Sequence, residues 1–202
     1  MVNLGDQYQC PTGPKGRLVA AQMNRHHAKL TLWGLTKVNV GSDFEILDVG
    51  CGGGKTLSRL AKLAPQGKVY GIDYSRDMVK FSRKINKALI AQKRVKIIEG
   101  SVEKIAFAIS FFDLVTAFET YYFWPNLPDA FKEIHRVLKI GGKLLLVNEL
   151  KFGVTSAKVI EETRVKLYPL QESQATMQSV GFADVQVFTE SGSAWNAVIA
   201  QK

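Results

Sequence analysis

Three groups of residues in this chain have the types and spacing to do chemistry. The first is the run Ile46-Leu47-Asp48-Val49-Gly50-Cys51-Gly52-Gly53-Gly54-Lys55-Thr56, apolar residues passing through an acid into glycines and then a helix-forming stretch. A glycine turn lets a ligand approach backbone N–H groups at a helix N-terminus, and an acid at the strand end favours a ligand with positive charge. The second is Asp73, at the end of the next apolar run and 23 residues past Gly50. A carboxylate is acceptor-only, which suits a vicinal diol, and ~20 residues is the separation of a ribose-binding acid from its glycine turn. The third is Phe118-Glu119-Thr120-Tyr121-Tyr122-Phe123-Trp124, in which Glu119 is the sole ionisable group among five aromatics. Such a run suits a pocket wall with cation–π character, and Glu119 is its candidate base or cation anchor.

The glycine turn admits three ligands. A phosphate-binding P-loop needs a glycine five residues before Gly54, where Val49 stands. A dinucleotide fingerprint needs a third glycine where Lys55 stands. An adenosyl cofactor without phosphates needs neither, and its ammonium and sulfonium are matched by the acid at Asp48.

Other reactive side chains are less specific. His27, Leu30 and Thr31 share a helical face, so His27 reads as a packed histidine or as a group touching substrate. The pair His26-His27 has no carboxylate or cysteine at ligand spacing, so no metal site is expected. Cys51 reads as a small filler of the glycine turn. With Cys10 it makes two cysteines, too few for a disulfide scaffold.

These groups need a scaffold that brings strand ends together. Short apolar runs at 45–49, 68–72, 95–99, 112–117 and 143–148 alternate with helical patterns at 56–64, 129–138 and 171–180, with a further helical stretch at 76–96. Two late strands, 185–188 and 197–200, flank a turn with Gly192. The expected architecture is α/β: a Rossmann-like, doubly wound, mostly parallel seven-stranded sheet with an antiparallel C-terminal hairpin. Gly141-Gly142 is expected to stop the helix at 129–138. One domain is expected over 1–202, with an N-terminal helical cap (1–41), a cofactor-binding core (42–150) and a C-terminal helix and hairpin strands (151–202).

The net charge of +9 raises nucleic acid as a partner. Most of the excess sits between Arg76 and Lys96, where eight cations face only Asp77. Met78, Phe81, Ile85 and Leu89 give that stretch an apolar face, so its cations read as a solvated helix surface. No aromatic stacking residues are interleaved there, which disfavours nucleic acid. No run reaches the ~18 apolar residues of a membrane span, and Met1 to Pro14 is polar, so a cytoplasmic protein without a membrane partner is expected.

The stretch Leu47 to Gly54 resembles motif I of class I S-adenosylmethionine-dependent methyltransferases. Val69-Tyr70-Gly71-Ile72-Asp73-Tyr74-Ser75-Arg76-Asp77-Met78 resembles their second motif. Glu99-Gly100-Ser101-Val102-Glu103 is similar to their adenine-binding stretch, with Ser101 where aspartate is usual. Phe112 to Val115 and His135 to Gly142 are similar to the late motifs, and Met23 to Leu35 to the helix that precedes the domain in small-molecule members of the type-11 kind. The resemblance implies S-adenosylmethionine as methyl donor and S-adenosylhomocysteine as product. It implies a cofactor site of Asp48, Gly50, Cys51, Gly52, Asp73, Tyr74, Met78, Ser101, Val102 and Phe118. The expected activity is in-line methyl transfer to a small-molecule substrate, with Glu119, His27 and Tyr122 as the candidate catalytic residues. The alternative is a non-catalytic module that binds the same cofactor, and a nucleic-acid methyltransferase ranks behind both because the Asn/Asp-Pro-Pro-Tyr/Phe signature is absent.

Overall fold

Strand-forming runs this apolar must be covered on both faces, and the computed structural model, which describes residues 12–149, 153, 155–163 and 165–202, covers them with helices. Seven strands form one sheet in the order β3-β2-β1-β4-β5-β7-β6. They are β1 (Glu45–Val49), β2 (Lys68–Asp73), β3 (Val95–Glu99), β4 (Phe112–Phe118), β5 (Leu138–Asn148), β6 (Ala183–Thr189) and β7 (Asn196–Gln201). The first five are parallel, and β7 runs antiparallel to both β5 and β6. The helices that accompany them are α1 (Gly13–His26), α2 (Ala28–Leu35), α3 (Lys55–Leu63), α4 (Arg76–Ile85), α5 (Lys87–Ala91), α6 (Leu127–Val137), α7 (Ala157–Thr163) and α8 (Leu170–Ser179). The expected fold is therefore the observed one.

Along β1 the side chains alternate between two cores. Leu47 and Val49 join the core under α6 and α8, whereas Ile46 joins the one under α2, α3 and α4. Strand order reverses between β1 and β4, and ligands of open α/β sheets bind outside the carboxyl ends of the strands at such a switch point. Asp48 and Glu119 stand there. Helix α1 ends at His26 and lies across this crevice, its first amide donating to Asp77 Oδ2 of α4 at 2.9 Å.

Two expectations about local structure change. The helix begun at Leu127 ends at Val137, and Leu138 passes directly into β5, so Gly141-Gly142 does not stop a helix. The two glycines lie in an irregular stretch of β5, where the register with β4 shifts between Phe112 and Leu114. Gly141 has φ +78°, and a Cβ on Gly142 would press on the Lys139, Phe112 and Asp113 carbonyls at 2.9–3.2 Å.

The basic stretch is also divided, into α4 and α5 around Asn86. Its buried face is Met78, Val79, Ser82 and Asn86, and Ile85 is 39% exposed. The apolar face expected from Met78, Phe81, Ile85 and Leu89 is rotated because polar Ser82 and Asn86 are drawn inward by the glycine turn. The cations point out to solvent, with two exceptions. Arg83 donates to the Ile97 carbonyl within β3, and Arg94 to the Gly67 carbonyl just before β2 and the Ala61 carbonyl of α3.

Candidate active site

A cavity of about 300 Å³ opens beneath α1 at the switch point. The glycine turn forms its floor. Gly54 caps α3 in the left-handed region at φ +76°, and a Cβ there would strike the Ser82 hydroxyl. Asn86, 2% exposed, donates from Nδ2 to the Gly54 carbonyl at 2.9 Å and to the Ser82 carbonyl at 3.0 Å. The turn is thus held from below by α4. Gly52 differs: at φ +47° its missing Cβ would project into open space, with the Gly50 carbonyl nearest at 3.9 Å. A side chain there would fill the cavity.

Two carboxyl groups stand over this floor. Asp48 is 2% exposed and accepts one side-chain hydrogen bond, from Thr116 Oγ1 at 2.7 Å, made possible by the β1–β4 register that pairs the two residues. Burial pushes its carboxyl up to about 7, with nearby Asp73 adding repulsion. Asp73 accepts from the Gly52 amide at 2.8 Å on Oδ2 and from the Ser75 amide at 2.9 Å on Oδ1. Each oxygen keeps a further lone pair. Burial raises this carboxyl as well, against the lowering effect of those two amides. Met78, Val102 and Ser101 continue the wall away from Asp73, and Tyr74, half of its surface exposed, stands at the edge.

At the other end, Glu119 leaves β4 at φ +56°, a left-handed conformation unusual for glutamate and of the kind that gathers at functional sites. Its backbone N–H donates to the Val147 carbonyl at 2.9 Å, which fixes the turn. Glu119 Oε2 accepts from the Tyr122 hydroxyl at 2.8 Å, and Oε1 accepts from the Glu149 amide. Burial drives the Glu119 carboxyl up to about 7 and the Tyr122 hydroxyl well above its ordinary value. His27 Nε2 stands 3.7 Å from Glu119 Oε2. Burial first, then His26, lowers this imidazole to about 4, so it is neutral at neutral pH.

The residues picked out by sequence therefore converge. Asp48, Gly50, Cys51, Gly52, Asp73, Tyr74, Met78, Ser101, Val102, Phe118, Glu119 and His27 all line the one cavity. Tyr122 does not. It is 4% exposed and stands behind Glu119, so it can only position that carboxylate. The aromatic run divides in the same way: Phe118, Phe123 and Trp124 reach the cavity, whereas Tyr121 and Tyr122 belong to the core.

Several residues escaped the sequence reading. Thr116 and Asn86 act across strands and helices, and no local spacing reveals them. Asn24 of α1 lies against Gly53, and Thr120 against Gly50. Arg59, on the second turn of α3, lines the cavity as a part-buried cation with no ion pair among the described residues. Glu149, just past the end of β5, could have been noticed as a carboxylate at a strand end. The expectation of no metal site rested on the lack of a carboxylate partner for His26 and His27. The fold supplies one, with Glu149 Oε2 3.2 Å from His26 Nε2.

A glycine floor and two buried acids, Asp48 at the end of β1 and Asp73 at the end of β2, thus meet in one cavity at the carboxyl ends of the strands. A family model described as a methyltransferase domain matches residues 47–146. The chain is 30% identical over 190 residues to the demethylmenaquinone methyltransferase of Geobacillus stearothermophilus, with 81% of each chain covered. It is 26% identical over 172 residues to an uncharacterized methyltransferase, YdaC, of Bacillus subtilis, covering 85% of this chain and 87% of the relative. Among solved structures, a SAM-dependent methyltransferase of Aquifex aeolicus superposes with a TM-score of 0.74 at 20% identity, covering 91% of this chain and 97% of that one. The chain belongs to the class I S-adenosylmethionine-dependent methyltransferases. Among the described residues no helix is long and apolar enough to cross a membrane.

Proposed function

We propose that the enzyme methylates a small molecule whose reacting atom must lose a proton, with the acceptor held between Glu119, His27 and the aromatic wall. The carrying observation is that a single cavity joins the glycine floor and Asp73 at one end to a buried, strained carboxylate at the other. The residues at the first end fit the cofactor. The open space over Gly52 is a cradle that any Cβ would fill, and the remaining Asp73 lone pairs can accept from both ribose hydroxyls. Met78 and Val102 offer apolar surface to the adenine ring, and Ser101 Oγ, which accepts from the Glu103 amide at 3.2 Å, keeps a second lone pair for the adenine amino group. Asp48 is the counter-charge for the ammonium and Arg59 for the carboxylate of the amino-acid moiety.

Bound there, S-adenosylmethionine supplies an electrophilic methyl group on a sulfonium and leaves as S-adenosylhomocysteine. The chain's own residues align, exclude water and move a proton. Alignment comes from Phe118, Phe123 and Trp124, whose ring faces attract positive charge. Water is excluded by α1, through Ala20, Met23 and Asn24. Glu119 Oε2, fixed by Tyr122 and facing His27, is the base that takes the acceptor's proton. The Geobacillus relative is named for methylating demethylmenaquinone, a small molecule, and an acceptor of that size class suits this cavity.

Calorimetry against S-adenosylmethionine, S-adenosylhomocysteine, NAD and ATP tests the cofactor end, and tight NAD or ATP binding without the adenosyl ligands would overturn it. Product S-adenosylhomocysteine, followed across a panel of hydroxylated aromatics, quinols, amines, thiols and oligonucleotides, tests the acceptor end. Turnover of oxygen or carbon acids is expected. Turnover of nucleic acid alone, or of amines alone, would refute the proposal.

A further inference from the structure

Two consecutive imidazoles and a carboxylate meet at the rim of the cavity. His26 ends α1, His27 is the joint between α1 and α2, and Glu149 follows β5. The rings of His26 and His27 are 5.1 Å apart and inclined at 63°. His26 Nε2 is 3.2 Å from Glu149 Oε2, and among the described residues one ligand atom of each of the three lies within 4.8 Å of the others. A single histidine would suffice for an ion pair with Glu149. The second imidazole adds another nitrogen donor, and His27 Nε2 stands 3.7 Å from Glu119 Oε2, too far for a hydrogen bond.

We infer that His26, His27 and Glu149 form a binding site for one divalent transition-metal ion, zinc being the type case. Two imidazoles with one carboxylate are a known zinc donor set, and three protein ligands leave a position open for water or substrate. Borderline donors of this kind select zinc, cobalt or nickel over magnesium and calcium, which require oxygen cages. With metal–ligand distances of ~2.0–2.2 Å, tetrahedral donors sit ~3.3 Å apart. The His26–Glu149 pair already has that spacing, and the third donor must close by ~1.5 Å at most. His26 and Glu149 have side chains 65% and 35% exposed, so they are free to make that adjustment. The surroundings favour a cation, because Glu119 stands directly behind and no lysine or arginine forms an ion pair with either glutamate among the described residues.

The site has a specific place in the protein. Its ligands come from α1, from the α1–α2 joint and from the end of β5, so a bound ion ties the cap over the crevice to the sheet. His27 also lines the cavity. The open coordination position is therefore at the acceptor end, where it can hold an oxygen of an acidic hydroxyl or carbonyl. This second role rests on the acceptor reading above, whereas metal binding itself does not.

The test uses the full chain, freed of metal with a chelator and titrated with cobalt(II) and zinc(II) by visible absorption and calorimetry. One equivalent should bind, with cobalt ligand-field bands and no thiolate charge-transfer band. His26→Ala and Glu149→Gln should each weaken zinc binding at least tenfold while binding S-adenosylmethionine as tightly as the parent. His135→Gln and Cys10→Ser should leave zinc affinity unchanged. Zinc should raise the melting temperature of the parent and not of Glu149→Gln. No binding, several weak equivalents, or affinity untouched by the His26 and Glu149 changes would overturn the inference. So would loss of zinc binding in Cys10→Ser.

Discussion

Replacing Asp48 by asparagine should make the protein more stable and a worse binder of its cofactor. The side chain is 2% exposed, and the Thr116 hydroxyl is its one side-chain hydrogen-bond partner, a bond that the asparagine Oδ1 keeps. Burial lifts its carboxyl from the ordinary 3.8 to about 7, so the folded state holds this proton more tightly than the unfolded chain does. The sign follows from linkage. Stability from this group is fully present below about pH 4 and is lost as pH rises towards 7, because the unfolded chain releases the proton first. At ~1.4 kcal/mol for each pH unit of that window, the loss is on the order of 4 kcal/mol. Urea unfolding at pH 4.5, 6 and 8 reads it directly. Wild type and Asp48→Asn should have similar stabilities at pH 4.5, and the variant should lead by a growing margin up to pH 8. Calorimetry should meanwhile show S-adenosylmethionine binding weakened by roughly ten- to a hundredfold at pH 8, the value of a charge-assisted hydrogen bond of ~1.5–3 kcal/mol. Parallel stability curves, or a variant that binds the cofactor as well as the parent, would refute the assignment of a buried charge held for a cationic ligand.

Other substitutions probe the remaining parts of the site. Asp73→Ala should cost ~1.5–3 kcal/mol of cofactor affinity, and an unchanged calorimetric constant would remove Asp73 from the site. Arg59→Met should weaken S-adenosylmethionine binding about tenfold and binding of the decarboxylated cofactor hardly at all; equal effects on both would exclude a carboxylate contact. Asn86→Ala removes two buried hydrogen bonds beneath the glycine turn and should cost ~1–3 kcal/mol in urea unfolding, with a several-fold loss of cofactor affinity. If unfolding and affinity were both unchanged, α4 would have no part in holding the turn. Tyr122→Phe should lower kcat about tenfold at unchanged KM for the cofactor, since the hydroxyl bonds Glu119 and does not reach the cavity. A rise in KM alone would instead make it a binding group.

The sheet was legible because most of its strands are short apolar runs closed by glycine or acid, and these runs paired into one sheet. The floor of the cavity was legible for a related reason: Asp48, the glycines and Asp73 lie next to strand ends, so the local sequence also fixes which end of the sheet they reach. What sequence could not reveal was set by register and by helix rotation. Thr116 bonds Asp48 because β1 and β4 pair in one register, and nothing near Thr116 announces it. Ser82 and Asn86 look like surface residues of a basic helix, yet the glycine turn draws them inward and rotates Ile85 out. Tyr122 looked like a pocket residue because it sits in an aromatic run, but the turn at Tyr121–Phe123 directs it into the core behind Glu119.

The charge of the chain then acquires a direction. Most of the net +9 comes from the stretch between Arg76 and Lys96, on an outer helix surface, whereas the cavity sets one cation, Arg59, against Asp48, Asp73 and Glu119, each raised by burial. Asp48 and Asp73 repel one another, all three carboxyl groups cost free energy when ionised in this buried space, and no lysine or arginine forms an ion pair with any of them among the described residues. A triphosphate or dinucleotide would add negative charge to that space. A ligand with an ammonium and a sulfonium relieves the repulsion. It binds most strongly where the empty protein is least comfortable, so cofactor affinity and apo stability must move in opposite directions when these acids are neutralised. That opposition separates a site built for a cation from a merely acidic crevice, in which neutralising the carboxylates would raise stability and leave binding alone.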